Sequence, residues 1–171
     1  MTTDIRVVRI TEGRNRAQIE QFVALMSKMY NFHATLHPDW QPKAGWEKGS
    51  MGWIKSTCAG NDWFFGLAYP EPEQALQGAI GYVLAGFHYE APVFVNNRYG
   101  YVADMWIEPE FRGSKAAQEL LKAAEAFFRE QGVRRVQLEV MVNNERGKAF
   151  WHKNGFEPFE LVMRKSLENS D

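Results

Sequence analysis

A single cysteine, Cys58, in 171 residues leaves no partner for an internal disulfide and no thiolate cluster for a metal, which fits a reducing compartment. Basic tracts are missing too. Lys and Arg number 20 against 21 Asp and Glu, and this even mixture, net charge −1, argues against a nucleic-acid backbone as partner. Long apolar runs are absent: the longest, near Ala79 to Phe87, is far too short to cross a bilayer, so no membrane partner is expected. Met1-Thr2-Thr3-Asp4 has no basic head leading into an apolar stretch, so a secretory leader is not expected and a cytoplasmic location is. The histidines at 33, 37, 88 and 152 lack metal-ligand spacing, and no metal is expected. Ser114, Cys58 and the histidines form no Ser-His-Asp or Cys-His arrangement either.

What the chain has is apolar and aromatic mass, 45% and 14% of its residues, enough for a packed core in one domain spanning residues 1–171. Ile5 to Ile10 alternates as a strand. Ile19, Phe22, Val23, Met26, Met29 and Tyr30 recur at helical spacing, predicting a helix that ends near Tyr30, and Asn31 to Gly45 reads as an irregular aromatic segment. A second helix is expected from Trp46 to Cys58. Strands follow at Asp62–Tyr69, Gly78–Phe87 and Tyr99–Ile107, with a turn at Pro70-Glu71-Pro72-Glu73 and a longer connection from His88 to Arg98. The next helix buries Ala117, Leu120, Leu121, Ala124 and Phe128 and is capped at Gly132. Val136, Leu138, Val140 and Val142 alternate as a strand, a short helix ends at Gly155, and Phe159–Arg164 supplies a last strand. The order β-α-α-β-β-β-α-β-α-β predicts an α/β (α+β) fold, a mixed central sheet flanked by helices.

Two stretches carry chemistry. In Met105-Trp106-Ile107-Glu108-Pro109-Glu110-Phe111-Arg112-Gly113-Ser114-Lys115-Ala116-Ala117 a strand turns into a long helix. Carboxylates are the favoured neighbours of a helix N-terminus, yet Arg112 and Lys115 bracket this one. Ser114 is the expected N-cap, and small Ala116 and Ala117 allow close approach to the backbone. Two cations and bare amides suit a phosphate or pyrophosphate. The second stretch, Leu138 to Phe156, holds a strand, an Asn cap at 144, a short helix, then Gly155-Phe156.

Together the stretches resemble the acyl-CoA-binding half of the GNAT superfamily of N-acyltransferases, over roughly residues 99 to 165. Arg112 and Ala117 match the outer positions of that family's phosphate loop, with Lys115 where a Gly is usual. Asn144, Lys153, Gly155 and Phe156 match its second motif, with Gly147 for Ala and Trp151 for Tyr. The resemblance implies splayed central strands, acetyl-CoA as cosubstrate, and a primary amine on a small molecule or peptide as acceptor. It implies that Met105, Trp106 and Ile107 hold the pantetheine arm through their backbone. Arg112, Gly113, Ser114, Lys115, Ala116 and Ala117 would hold the pyrophosphate, with Asn144 and Trp151 contributing from the second motif. A homodimer is a further implication.

A base must strip the ammonium proton before the amine can attack. Asp104, among the apolar residues of its strand, and Glu139, at a position where members of the superfamily that acetylate peptides carry a functional Glu, are the two candidates; the resemblance leans to Glu139. His88 and His33 are weaker ones, and a water relay needs neither. Trp151 cannot supply a proton at neutral pH, so it is expected to pack rather than to protonate the leaving thiolate. Tyr30, His33 and Trp40, with Asn31, Leu36 and His37, are the expected acceptor wall by the same resemblance. The other reading is an acyl-CoA-binding module without turnover.

Overall fold

The computed structural model describes residues 4–71 and 78–167. The chain divides into two compact units at the Glu139–Val140 junction. In the first unit β1 (Asp4–Arg9) leads to α1 (Arg16–Leu36), a 3-10 turn (Pro38–Trp40), α2 (Trp46–Thr57), β2 (Trp63–Glu71), β3 (Gly81–Tyr89) and β4 (Arg98–Ile107). A second 3-10 turn (Pro109–Phe111), α3 (Ala116–Glu130) and β5 (Val136–Gln137) complete it. The sheet runs β1-β2-β3-β4-β5, antiparallel up to β4, with β5 parallel to β4.

Each face of the sheet has its own helices. Ile19, Phe22, Val23, Leu25, Met26 and Met29 of α1 pack with Ile54 of α2 onto Phe65, Leu67, Tyr82 and Leu84. Phe127 of α3 packs its ring on Phe64 and Phe87, and Phe128 also meets Phe87, on the other face. Burial of this kind, about 1.5–3 kcal/mol for each large side chain, is what fixes the helices to the sheet.

Four expectations about the elements are corrected. α1 passes Tyr30 and runs to Leu36, because nothing from Asn31 to Leu36 breaks a helix. It stops where the residue before Pro38 must leave the helical region, and His37 is extended at φ −159° and ψ 134°. Pro70 and Glu71 lie in β2, not in a turn; beyond Ala68 the strand is paired only to β1, so a proline's missing N–H is tolerated (Pro72 and Glu73 lie outside the described residues). The strand foreseen from Val136 to Val142 pairs only at Gly100↔Val136 and Tyr101↔Gln137. Phe159–Arg164 is not a strand, and its apolar side chains face solvent, Phe159 71% and Met163 85% exposed.

The second unit carries α4 (Glu145–Lys153). Asn144 caps its start, accepting the Gly147 N–H at 2.9 Å, and a methyl group on residue 147 would press to 2.6 Å from that carboxamide. Gly155, at φ +86°, ends the helix in the left-handed region that glycine reaches without strain.

Candidate active site

The middle of β4 is set by one extra residue. Leu84 lies opposite Asp104 but Ala85 lies opposite Val102, so Ala103 is bulged out of register. Gly100 identifies the faces: a methyl there would sit 2.7 Å from the Phe128 ring, so Gly100 and, two residues on, Val102 look toward α3. Strict alternation would put Asp104 there as well. The bulge turns it instead to the α1 face.

On that face Tyr30 of α1 donates its hydroxyl to Asp104 Oδ2 at 3.3 Å. Asp104 is partly buried, and burial pushes its carboxyl up to about 6, against the opposing pull of the Tyr30 hydrogen bond. Tyr30 holds its own proton more tightly than usual, through burial first and then the Asp104 charge. Tyr82 of β3 is fully buried beside the pair, and its hydroxyl meets the Met29 sulfur at 3.3 Å. Tyr101 is pushed up to about 12, by burial first and then by Glu139 and Asp104. His88 stacks on Tyr101 with ring centres 4.1 Å apart. Asp104 and Tyr30 thus come together, whereas Glu139 is exposed, past the end of β5, and bears on the cluster through Tyr101. Tyr82 and Tyr101 are the residues that sequence reasoning missed.

Among the described residues, no strand of the first unit pairs with the far half of β4 on its side away from β3. Glu108 N–H bonds Ile80 O at 2.9 Å, so by the alternation of an antiparallel ladder Trp106 and Asp104 also turn their backbone groups to β3. Met105 and Ile107 then point theirs out of the opposite edge, where β5 pairs only as far as Tyr101. Arg112 occupies part of this edge: its Nε–H donates to Ile107 O at 3.0 Å, and its guanidinium lies 4.5 Å from the centre of the Trp106 ring. Trp106 in turn donates its indole N–H to Glu108 at 3.3 Å, and Glu108 pairs with Lys28 of α1.

Between β4 and α3 the left-handed residue is Gly113, at φ +87°. Lys115, where a glycine was expected to matter, has φ −72° and ψ −8°, a conformation open to any residue. Lys115 is also the N-cap, correcting the assignment of Ser114; Ser114 Oγ instead accepts the Ala116 N–H at 3.2 Å, a local turn bond. Gly113, Ser114 and Lys115 are exposed, Ala116 is buried and Ala117 is partly covered. The first helical amides have no intrahelical acceptor, and an exposed cation stands beside them.

The residues expected to form the acceptor wall make ring contacts with two different tryptophans. Tyr30 packs on Trp46, ring centres 4.8 Å apart, while His33 meets Trp40 edge-on at 5.8 Å. Burial lowers the proton affinity of His33. His37 Nδ1 accepts the Asp39 N–H, so its ring caps the 3-10 turn. Among the described residues no cluster of His, Cys, Asp or Glu could hold a metal ion, and no helix is long and apolar enough to cross a membrane.

A strand bulged at Ala103, a partly buried carboxylate at Asp104 and an exposed cation at the start of the following helix thus lie along β4 and the loop after it. Residues 26–156 match the acetyltransferase (GNAT) family, and the chain belongs to that family. It is similar to N-alpha-acetyltransferase 30 of Schizosaccharomyces pombe, 31% identical over 72 residues, which is 42% of this chain and 48% of that protein. An uncharacterized N-acetyltransferase of Bacillus subtilis, YycN, is 27% identical over 67 residues, 39% of this chain and 43% of its own length. The matches thus span about half the length of these curated relatives. The fold is that of the aminoglycoside N-acetyltransferase AAC(6')-Iy in complex with CoA, at TM-score 0.74 and 15% identity over 99% of this chain and 98% of the other. AAC(6')-Ih from Acinetobacter baumannii shares it at TM-score 0.69 and 17% identity, with 98% and 100% covered.

Proposed function

We propose that this chain is an N-acetyltransferase that moves an acetyl group from acetyl-CoA to a primary amine, with Asp104 as the general base. The observation that carries the reading is the Asp104 carboxyl, turned by the bulge at Ala103 to the α1 face and held near 6, on the far half of β4. A base near the working pH both exists as carboxylate and takes a proton readily. The family match crosses the boundary between the two compact units, which supports one acetyltransferase domain over residues 1–171.

Acetyl-CoA supplies an acetyl group activated as a thioester. The exposed Lys115 and the amides of the first turn of α3, of which Ala116 N–H is held by Ser114 Oγ, fit its phosphates, and Arg112 lies within the same loop. The edge groups of Met105 and Ile107 fit an amide-bearing arm, and an N–H there can stabilise the oxyanion that develops during acyl transfer. Asp104 takes the ammonium proton; the free amine attacks the thioester carbonyl, the C–N bond forms, the C–S bond breaks, and the nitrogen's second proton passes to the departing thiolate, leaving a neutral amide and the CoA thiol. Tyr30 borders this centre on the acceptor side, and His33 with Trp40 forms a separate aromatic pair further along α1. Asn144 and Trp151 serve by building α4. The reading includes a cytoplasmic enzyme and a homodimer.

The acceptor classes differ in charge: an aminoglycoside, a polyamine, an amino acid or a peptide N-terminus. Thiol release from acetyl-CoA, measured across such a panel with wild-type protein and Asp104→Asn, tests the proposal. Amine-dependent release that Asp104→Asn lowers by about 10² to 10⁴ is expected. Saturable CoA binding with no release for any amine would make the chain a binding module instead.

A further inference from the structure

We infer that Tyr30 is a positioning residue for the base: its hydroxyl fixes the orientation of the Asp104 carboxylate and sets the pH at which that carboxylate accepts the acceptor's proton. The inference rests on Asp104 being the base and adds the group that tunes it.

The geometry is built from two elements. Tyr30 follows the buried Met29 on α1, and its ring is backed by Trp46 of α2 at 4.8 Å and an interplanar angle of 59°. A ring held in this way cannot swing its hydroxyl freely, and the hydroxyl reaches Asp104 Oδ2 at 3.3 Å. The bulge at Ala103 is what brings the carboxylate to that face.

The titratable groups that bear on Asp104 are Tyr30 from α1, Tyr82 from β3 and Tyr101 from β4 itself. Tyr82 spends its hydroxyl on the Met29 sulfur. Tyr101 stacks against His88 and lies between the influence of Asp104 and that of Glu139. Glu108, further along β4, is tied to Lys28 and Trp106. Tyr30 is therefore the phenol that donates to the carboxylate. A hydrogen bond to the charged form favours it, opposing the burial that would otherwise keep the acid protonated. Tyr30 holds its own proton tightly, so it acts as a fixed donor and not as an acid that gives the proton up.

The test uses the full chain. Side-chain carboxyl titration by ¹³C NMR reads Asp104 directly, and the pH profile of kcat/KM reads it through turnover of the fastest amine in the panel above. In Tyr30→Phe both midpoints should rise by about one pH unit, an approximately tenfold lower rate on the ascending limb that recovers at high pH. 3-Fluorotyrosine at position 30, a stronger donor of the same shape, should move both midpoints down; it also serves if Tyr30→Phe does not fold. A carboxyl midpoint that stays in place in the variants, or moves the same way in both, overturns the inference. An ascending limb that survives in Asp104→Asn overturns instead the reading of Asp104 as base, and with it the catalytic half of this inference. The carboxyl titration separates the two failures, because it needs no turnover.

Discussion

The Tyr30 hydroxyl and the Asp104 carboxylate meet at 3.3 Å although they lie 74 positions apart in the sequence, one on the helix that covers the sheet and one on the bulged strand beneath it. The contact places a group that wants to be protonated next to a donor that favours its charge. Burial outweighs the hydrogen bond only in part: the carboxyl settles at about 6, above its ordinary value. Folding therefore holds Asp104 in a state suited to taking protons near neutrality, and the fold itself bears the cost.

That cost can be measured. Asp104 is raised in the folded protein, so its contribution to stability is fully present below its ordinary value near 4 and is lost as pH rises through about 6. Asp104→Asn removes the charge and should be more stable than wild type at pH 8, by at most about 3 kcal/mol because the group is only partly buried. At pH 4 the gain should vanish. Urea denaturation at the two pH values checks this; equal stability differences at both would show that Asp104 does not titrate in the window argued here.

The loop proposed to hold the cosubstrate yields a prediction with two parts, because its cations have different surroundings. The Lys115 side chain is exposed and among the described residues has no hydrogen bond or ion pair, so Lys115→Glu should weaken CoA binding about tenfold or more with the fold intact. Arg112 also holds Ile107 O and covers Trp106, so Arg112→Glu should weaken CoA binding and lower the melting temperature together. The double variant should lose roughly two to three orders of magnitude in affinity by calorimetry. Unchanged affinity in a folded double variant would place the phosphates elsewhere.

Much of the fold was legible because it follows from periodicity. The apolar stripe of α1, the apolar and aromatic runs of β2 and β3, which are buried on both faces, and the glycine after α3 each follow from local chemistry in the sequence. What escaped was decided by neighbours. Val136 to Val142 alternates as a strand should, yet pairing stops at Gln137, one residue before β4 reaches its bulged Ala103 region. The candidate site was half legible for the same reason. Asp104 and Lys115 could be singled out as candidates from residue type and context. Tyr101 was not, because residues three apart in a regular strand face opposite ways; only the bulge brings Tyr101 and Asp104 to one face. Tyr82 required the β3 register as well.

The last prediction concerns Trp151, where the family's usual tyrosine is replaced. The end of α4 closes with two bonds: Phe156 N–H to Trp151 O at 3.1 Å and Gly155 N–H to His152 O at 3.0 Å. This pattern is completed by an apolar contact between the residues at its two ends, and the rings of Trp151 and Phe156 supply it with centres 5.2 Å apart. Phe150 adds a second edge-on ring to Trp151 at 4.9 Å. The indole therefore has a packing role that needs an aromatic face and not its N–H. Trp151→Phe should keep that face and retain most turnover. Trp151→Ala removes a partly covered side chain and both ring contacts, and should lose about 1–2 kcal/mol of stability. Gly155→Ala acts on the same closure through the backbone: φ of +86° is strained for alanine, and a loss of about 1 kcal/mol is expected with the rings untouched. Thermal unfolding of the variants, read beside acetyl-CoA thiol release, separates packing from proton transfer. Turnover abolished in a stable Trp151→Phe would assign the indole N–H a catalytic part and overturn the packing account.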